Sequence, residues 1–147
     1  MNPWVLAFLT CSSLAILAQA FDWAGKLWAL PVTLVGLLAG AVGCLFGAKA
    51  TRRNNAIAFE NFPWGRPFSA MTLGNCILAT CSLDLRVRTY NGAEAVVLGD
   101  HEEGHTYQYQ RRGIFFLIAW LLGGRQSDDN RLEHLADEYA EHKEGKQ

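Results

Sequence analysis

Charge is scarce at the start of the chain: ahead of Lys49 the only charged side chains are Asp22 and Lys26. A segment with so little charge cannot present a solvated domain surface, and it reads as membrane. A basic excess is also missing, since the formal net charge is -1. That removes the electrostatic case for nucleic-acid binding, which needs a basic face. The four cysteines form neither a CxxC pair nor a zinc-ribbon spacing. Cys11 and Cys44 fall in apolar runs, where a thiol behaves as a small hydrophobe, and Cys76 and Cys81 read as reduced thiols. The opening "MNPW" has no Lys or Arg. A cleaved signal peptide is therefore disfavoured, although "AQA" before Phe21 resembles a small-residue cleavage site. No internal repeat is visible.

What the first third does contain is two uncharged apolar runs, "WVLAFLTCSSLAILAQA" (4–20) and "LWALPVTLVGLLAGAVGCLFGA" (27–48). A span needs roughly 20 such residues, about 17 at the short end. The link "FDWAGK" is short enough to predict an antiparallel transmembrane hairpin over 1–48. Trp4, Trp23 and Trp28 at the run ends suit the headgroup zone. Gly36, Gly40, Gly43 and Gly47 recur at near-helical spacing and would let the two helices approach closely, and Pro31 is read as a first-turn proline. Lys49, Arg52 and Arg53 follow the second run, so the positive-inside rule places both termini and the soluble part in the cytoplasm.

Residues 49–70 read as an irregular connection along the membrane surface, rich in Pro, Gly and aromatics. Residues 71–147 form the expected α+β domain. Strand candidates are 71–80 and 82–90, the second alternating Leu83, Leu85 and Val87 against Asp84, Arg86 and Arg88. "NG" at 91–92 is a turn, and helix formers run from Ala93 to Arg112 before Gly113. "IFFLIAWLL" (114–122) is apolar all round but too short to span; it is a buried core helix or a segment dipping into the bilayer face, with preference for the first. A second amphipathic helix covers 131–145, with Leu132, Leu135, Ala136 and Tyr139 on its inner side and good N-cap residues before it. The tail "EHKEGKQ" reads as solvated and frayed.

Chemistry concentrates in "HEEGH" (101–105). Residues i and i+4 project from one helix face, so His101 and His105 can offer two imidazoles to one ion while Glu102 reaches a water on it. A catalytic zinc of this type needs a third protein ligand. Glu133, His134, Asp137 and His142 compete for that place. Glu133 and Asp137 share a helix edge bordering the inner face, which favours Glu133 as ligand, with Asp137 accepting a hydrogen bond from a ligand histidine. His134 points about 100° away from Glu133, and both His134 and His142 read as solvated. Glu103 reads as solvent-facing. Gly104 costs a helix roughly 1 kcal/mol against Ala and would permit close approach of a neighbouring strand or substrate. Gln108 caps or lines the site, and Tyr107 and Tyr109 pack.

"HEEGH … EHLAD" resembles the gluzincin metallopeptidases, among them the membrane-bound gluzincins and the very small minigluzincins. The longer stretch "HEEGHTYQYQRRGIFFLIAWLLGG … NRLEHLAD" is similar to small bacterial membrane proteins with an HExxHxxQ helix, a Gly, an apolar segment and NxxExxA. The resemblance covers roughly residues 71–140. It implies a zincin-like domain with a small β-sheet and two zinc-binding helices, in a bacterial inner (cytoplasmic) membrane protein. It implies Zn2+ bound by His101, His105 and Glu133, with Glu102 as general base and Asp137 in support. It also implies a strand ahead of the zinc helix that binds the substrate backbone, either 71–80 or 82–90. The additional ligand histidine of metzincins is absent. The expected activity is hydrolysis of peptide bonds in membrane-associated polypeptides by a zinc-activated water, with Tyr139 or His142 as candidate oxyanion donors. The competing class is a non-catalytic zinc-binding membrane protein acting in assembly or as an interaction partner.

Overall fold

A computed structural model describes residues 3–67, 69–90 and 95–145, and within 3–16 the side chain of Thr10 alone. The turn expected at 91–92 lies outside the described residues.

The chain opens with one continuous helix, α1 (Pro3–Cys44), rather than a hairpin. The link "FDWAGK" is helical because nothing in it stops a helix. Asp22 and Lys26 pair at 2.6 Å across i,i+4, which supports a helical turn. Gly25, the one weak helix former there, serves close packing instead: a Cβ on it would stand 3.0 Å from Gln110 Cβ. The part Leu17–Cys44 is long and apolar enough to cross a membrane once. Pro31 therefore sits mid-helix and not in a first turn.

Two strands, β1 (Lys49–Arg52) and β2 (Ile57–Glu60), occupy the stretch expected to be irregular. The candidate strand 71–80 splits into β3 (Ala70–Leu73) and β4 (Cys76–Ala79), because Gly74 turns the chain at φ +64°. These four form a mixed sheet in the order β1-β2-β4-β3, with β2 and β4 parallel and the other pairs antiparallel. Of the second candidate only β5 (Arg86–Arg88) is strand, paired with β6 (Ala95–Val97) in a separate two-stranded ribbon. The helix predicted from Ala93 therefore starts later, as α2 (Leu98–Arg112). Two β-branched residues, Val96 and Val97, favour the pairing with β5 over the helix.

Both faces of the sheet are covered at β4, which is buried along its whole length, whereas the edge strand β1 is exposed throughout. Ala58, Ile77 and Ala79 pack with Leu83 and Leu98 on one face, while Phe59, Cys76 and Leu78 pack with Leu37 and Ala39 of α1 on the other. The alternation is the two-residue period of a strand. The glycine stripe of α1 meets this second face and not a partner helix. A Cβ on Gly36 would strike Cys76, on Gly40 Phe59, and on Gly43 Phe62. The packing thus crosses the expected boundary at residue 48. Burial pushes the Cys76 thiol up to about 12.

The short helix α3 (Phe115–Leu122) follows Gly113, whose φ of +55° ends α2. The preferred core reading of α3 does not hold. Only Phe116 is buried, and Leu122 is 84% exposed. The last helix, α4 (Arg131–Glu144), is capped by Asn130, whose side chain accepts from Leu132 N at 3.0 Å. Its inner face is Leu132, Glu133, Ala136, Asp137 and Ala140, with Leu135 outside. α4 crosses α2 at Gly104, where a Cβ would come within 3.0 Å of Ala136 Cα. The close neighbour at that glycine is a helix, not a strand.

Candidate metal centre

α2 carries His101 and His105 one turn apart, and α4 brings Glu133 opposite them across the Gly104–Ala136 crossing. His101 Nε2 lies 3.2 Å and His105 Nε2 3.4 Å from Glu133 Oε2. One ligand atom from each residue fits within 4.8 Å of the others, and all three residues are buried. Ligand atoms about 2.0–2.2 Å from a tetrahedral ion stand roughly 3.3–3.6 Å apart. The three groups are thus spaced to hold a metal ion. Two imidazoles and a carboxylate are also the donor set that borderline cations such as zinc accept.

The outer nitrogens of both imidazoles are held. His101 Nδ1 stands 2.8 Å from Asp137 Oδ1. An ionised carboxylate only accepts, so Nδ1 carries the hydrogen and Nε2 faces Glu133. Asp137 is fixed in turn by Tyr90, whose backbone N–H donates to Oδ2 at 2.6 Å. His105 Nδ1 meets Gln108 Oε1 at 3.0 Å, and Gln108 Nε2 donates to the Leu132 carbonyl at 2.8 Å, which sets the amide's orientation. Glu133 Oε1 accepts from the Trp120 indole of α3. The support expected of Asp137 goes to His101, and Gln108 gives the equivalent support to His105. Trp120 and Tyr90 are additions that the sequence does not announce. An indole in an apolar run and a backbone N–H carry no spacing signal.

The electrostatics suit a cation. Burial depresses the basicity of His101, but hydrogen bonds to Asp137 and Glu133 and the charge of Glu102 outweigh it, and the imidazole is pushed up to about 10. Burial likewise opposes ionisation of Glu133, yet its bonds to His101, His105 and Trp120 hold it well below the usual carboxylate range. The negative charge that favours a protonated imidazole at His101 favours a metal cation at the same place.

Glu102 is 5% exposed. The Thr72 hydroxyl on β3 lies 2.6 Å from Glu102 Oε2 and 3.0 Å from its backbone oxygen. One hydroxyl donates once, and the shorter contact to a charged acceptor takes the proton. β3, an edge of the sheet, is thereby tied to the helix that bears the histidines.

Glu103 is not solvent-facing. It is fully buried on another side of α2, accepting from Tyr139 at 2.8 Å, Asn54 at 3.1 Å and Lys143 at 2.9 Å. Lys143 also reaches Asp100 at 2.7 Å, and Glu144 accepts from Val97 N at 2.9 Å. The end of α4 is stitched down where fraying is expected from sequence. Tyr139 is committed to Glu103 and His142 is exposed, so neither lies at the histidines as an oxyanion donor. His134 Nε2 turns to the Asp128 carbonyl at 2.6 Å.

No family model, curated protein or solved structure matches the chain. A functional reading of the centre therefore rests on its own chemistry.

Proposed function

We propose that the protein is a membrane-anchored zinc metalloendopeptidase of gluzincin type. The observation that carries this reading is the convergence of His101, His105 and Glu133 beside an additional buried carboxylate, Glu102, that is not a member of the triad. A purely structural metal site has no use for that carboxylate. When bound, the ion supplies Lewis-acid polarisation of a scissile carbonyl and acidifies a water. Glu102 then takes the proton of the attacking water and passes it to the leaving nitrogen, and Thr72 fixes the carboxylate that does so. Asp137 and Gln108 keep both imidazoles turned towards Glu133. Of the two candidate strands we assign substrate binding to β3, because it is a sheet edge and contacts Glu102 directly. An extended polypeptide can add to such an edge through backbone hydrogen bonds.

The burial of the site favours a second reading, a protein that keeps its metal for structure. Glu133 is 1% exposed and His101 5%. Metal analysis of the detergent-solubilised protein, paired with cleavage of an unfolded casein substrate, separates the two. The proposal expects about one zinc per chain and hydrolysis that stops with chelator and returns with zinc. Stoichiometric zinc without any cleavage would leave the second reading standing.

We further infer that α1 crosses a bacterial cytoplasmic membrane. A continuous helix crosses once, so the termini lie on opposite sides, and Lys49, Arg52 and Arg53 put the domain on the cytoplasmic side. The polypeptide substrate is then membrane-associated. A phosphatase reporter that requires export, fused after Gln147, should be inactive; full activity would reverse the orientation.

A further inference from the structure

In chain order the helix α3 lies between the two helices that carry the metal triad, and its exterior has no polar side. All eight residues, "FFLIAWLL", are apolar. Ile114, Phe115, Ile118, Leu121 and Leu122 are between 49% and 84% exposed. A helix on the surface of a water-soluble domain keeps a polar outer face; this one has none. At eight residues and ~1.5 Å per residue it is about 12 Å long, far short of the roughly 30 Å hydrocarbon core. It can lie in a bilayer boundary but cannot cross it.

Two further observations indicate what covers it. First, its flanks are basic: Arg111 and Arg112 precede it and Arg125 follows, all exposed and none in an ion pair among the described residues. Asp128 and Asp129 lie farther along the same loop, beyond Arg125. Arginines bracketing an apolar helix can place their stems along it and their guanidiniums among phosphates. Second, α3 is continuous with the apolar helix α1. Gly113 lies against the Trp28 indole, and Phe116 packs in one cluster with Ala29 and Val32.

We propose that α3 is an interfacial docking element that beds its outer face into a bilayer carrying anionic headgroups. Its inner side chains are the wall of the metal centre. The Phe116 ring lies 5.6 Å from the His105 ring, and Trp120 donates to Glu133. The triad then stands one layer of side chains from the acyl chains, which suits polypeptides presented at the membrane surface. The inference rests on α1 being a membrane anchor, as proposed above. Its test uses neither metal nor hydrolysis.

The full chain, with Cys11, Cys44, Cys76 and Cys81 changed to Ala, is given one cysteine at a time: Leu122→Cys, Leu34→Cys on the exposed face of α1, or Glu138→Cys on the exposed face of α4. Each is labelled with an environment-sensitive fluorophore and reconstituted into phosphatidylcholine vesicles with or without phosphatidylglycerol. The Leu122 probe should be quenched by spin-labelled lipid, like that at Leu34, and the Glu138 probe by aqueous iodide. Quenching at Leu122 should be stronger with phosphatidylglycerol, and Arg111→Gln with Arg112→Gln should remove that increment. Iodide quenching at Leu122 with lipid quenching at Leu34 overturns the docking of α3 while leaving the anchor. Iodide quenching at both positions overturns the anchor as well. Protection of Leu122 from both quenchers means that a second copy covers α3, and also overturns the proposal. Hydrogen exchange of residues 114–122 in the unsubstituted chain provides the same comparison without cysteine replacement: slower exchange in phosphatidylglycerol-containing vesicles is expected, and equal exchange in detergent and in both lipids refutes it.

Discussion

Glu102→Gln is expected to keep its full complement of zinc and to lose nearly all hydrolysis. The residue is no member of the triad, so the donor set of His101, His105 and Glu133 stays complete. The substitution is isosteric, and the amide still offers an oxygen to the Thr72 hydroxyl that now lies 2.6 Å from the carboxylate. It also replaces a buried negative charge by a neutral group, so the fold is not asked to desolvate anything new. What disappears is the carboxylate that the proposed mechanism uses to accept a proton from the attacking water. General-base catalysis contributes about 10²–10⁴ in rate, so the variant should retain at most about 1% of the wild-type kcat at unchanged metal content. A variant that cleaves at the wild-type rate removes Glu102 from the mechanism. A variant that loses zinc as well gives Glu102 a share in holding the ion.

The centre is more legible in the sequence than the scaffold around it, and the reason is local. An HExxH spacing is a statement about one turn of one helix, and ExxxD about one turn of another. Helical geometry converts either into a shared face without knowledge of anything distant. Choosing Glu133 over His134 needs only the rotation between adjacent residues. The supports need more. Gln108 is three residues from His105 and within reach of sequence reasoning, whereas Tyr90 and Trp120 come from elements whose placement is a tertiary fact.

The departures from expectation share an origin in partners supplied from far along the chain. Glu103 reads as solvent-facing from the sequence, but its counter-charge, Lys143, arrives from the other end of the domain. The same pairing holds down a terminal turn whose composition suggests fraying. The glycines of α1 suggest a second membrane helix, but Cys76, Phe59 and Phe62 fill the space above them. "GN" inside the first strand candidate is a readable turn signal, outweighed by the apolar residues on both sides. The supposed link at 21–26 fails differently. Two charges in an apolar stretch look like a break, yet at i,i+4 they form an ion pair that a helix accommodates.

Glu133→Ala should strip the zinc, whereas Asp137→Ala should leave it bound but weaker. Glu133 is the only carboxylate whose oxygen stands within 3.4 Å of both Nε2 atoms among the described residues. Without it two imidazoles remain, and neither rival can replace it. His134 is turned to the Asp128 carbonyl, and His142 lies exposed at the far end of α4. Asp137 touches the other side of His101, at Nδ1, so its loss frees the ring's orientation without removing a ligand. Changes of that kind cost roughly 10- to 100-fold in metal affinity. Glu133→Ala also leaves the Trp120 indole N–H without its acceptor, so local collapse is a second route to loss of zinc. Glu133→Gln separates the two causes. It keeps an oxygen for Trp120 and the volume of the side chain, but gives the ion a neutral amide in place of an anion. Circular dichroism of Glu133→Gln should match the wild type, while competition against a zinc-binding dye should show a much larger loss of affinity than in Asp137→Ala. Full zinc occupancy in Glu133→Ala, or equal affinities in Glu133→Gln and the wild type, would transfer the third ligand to another residue.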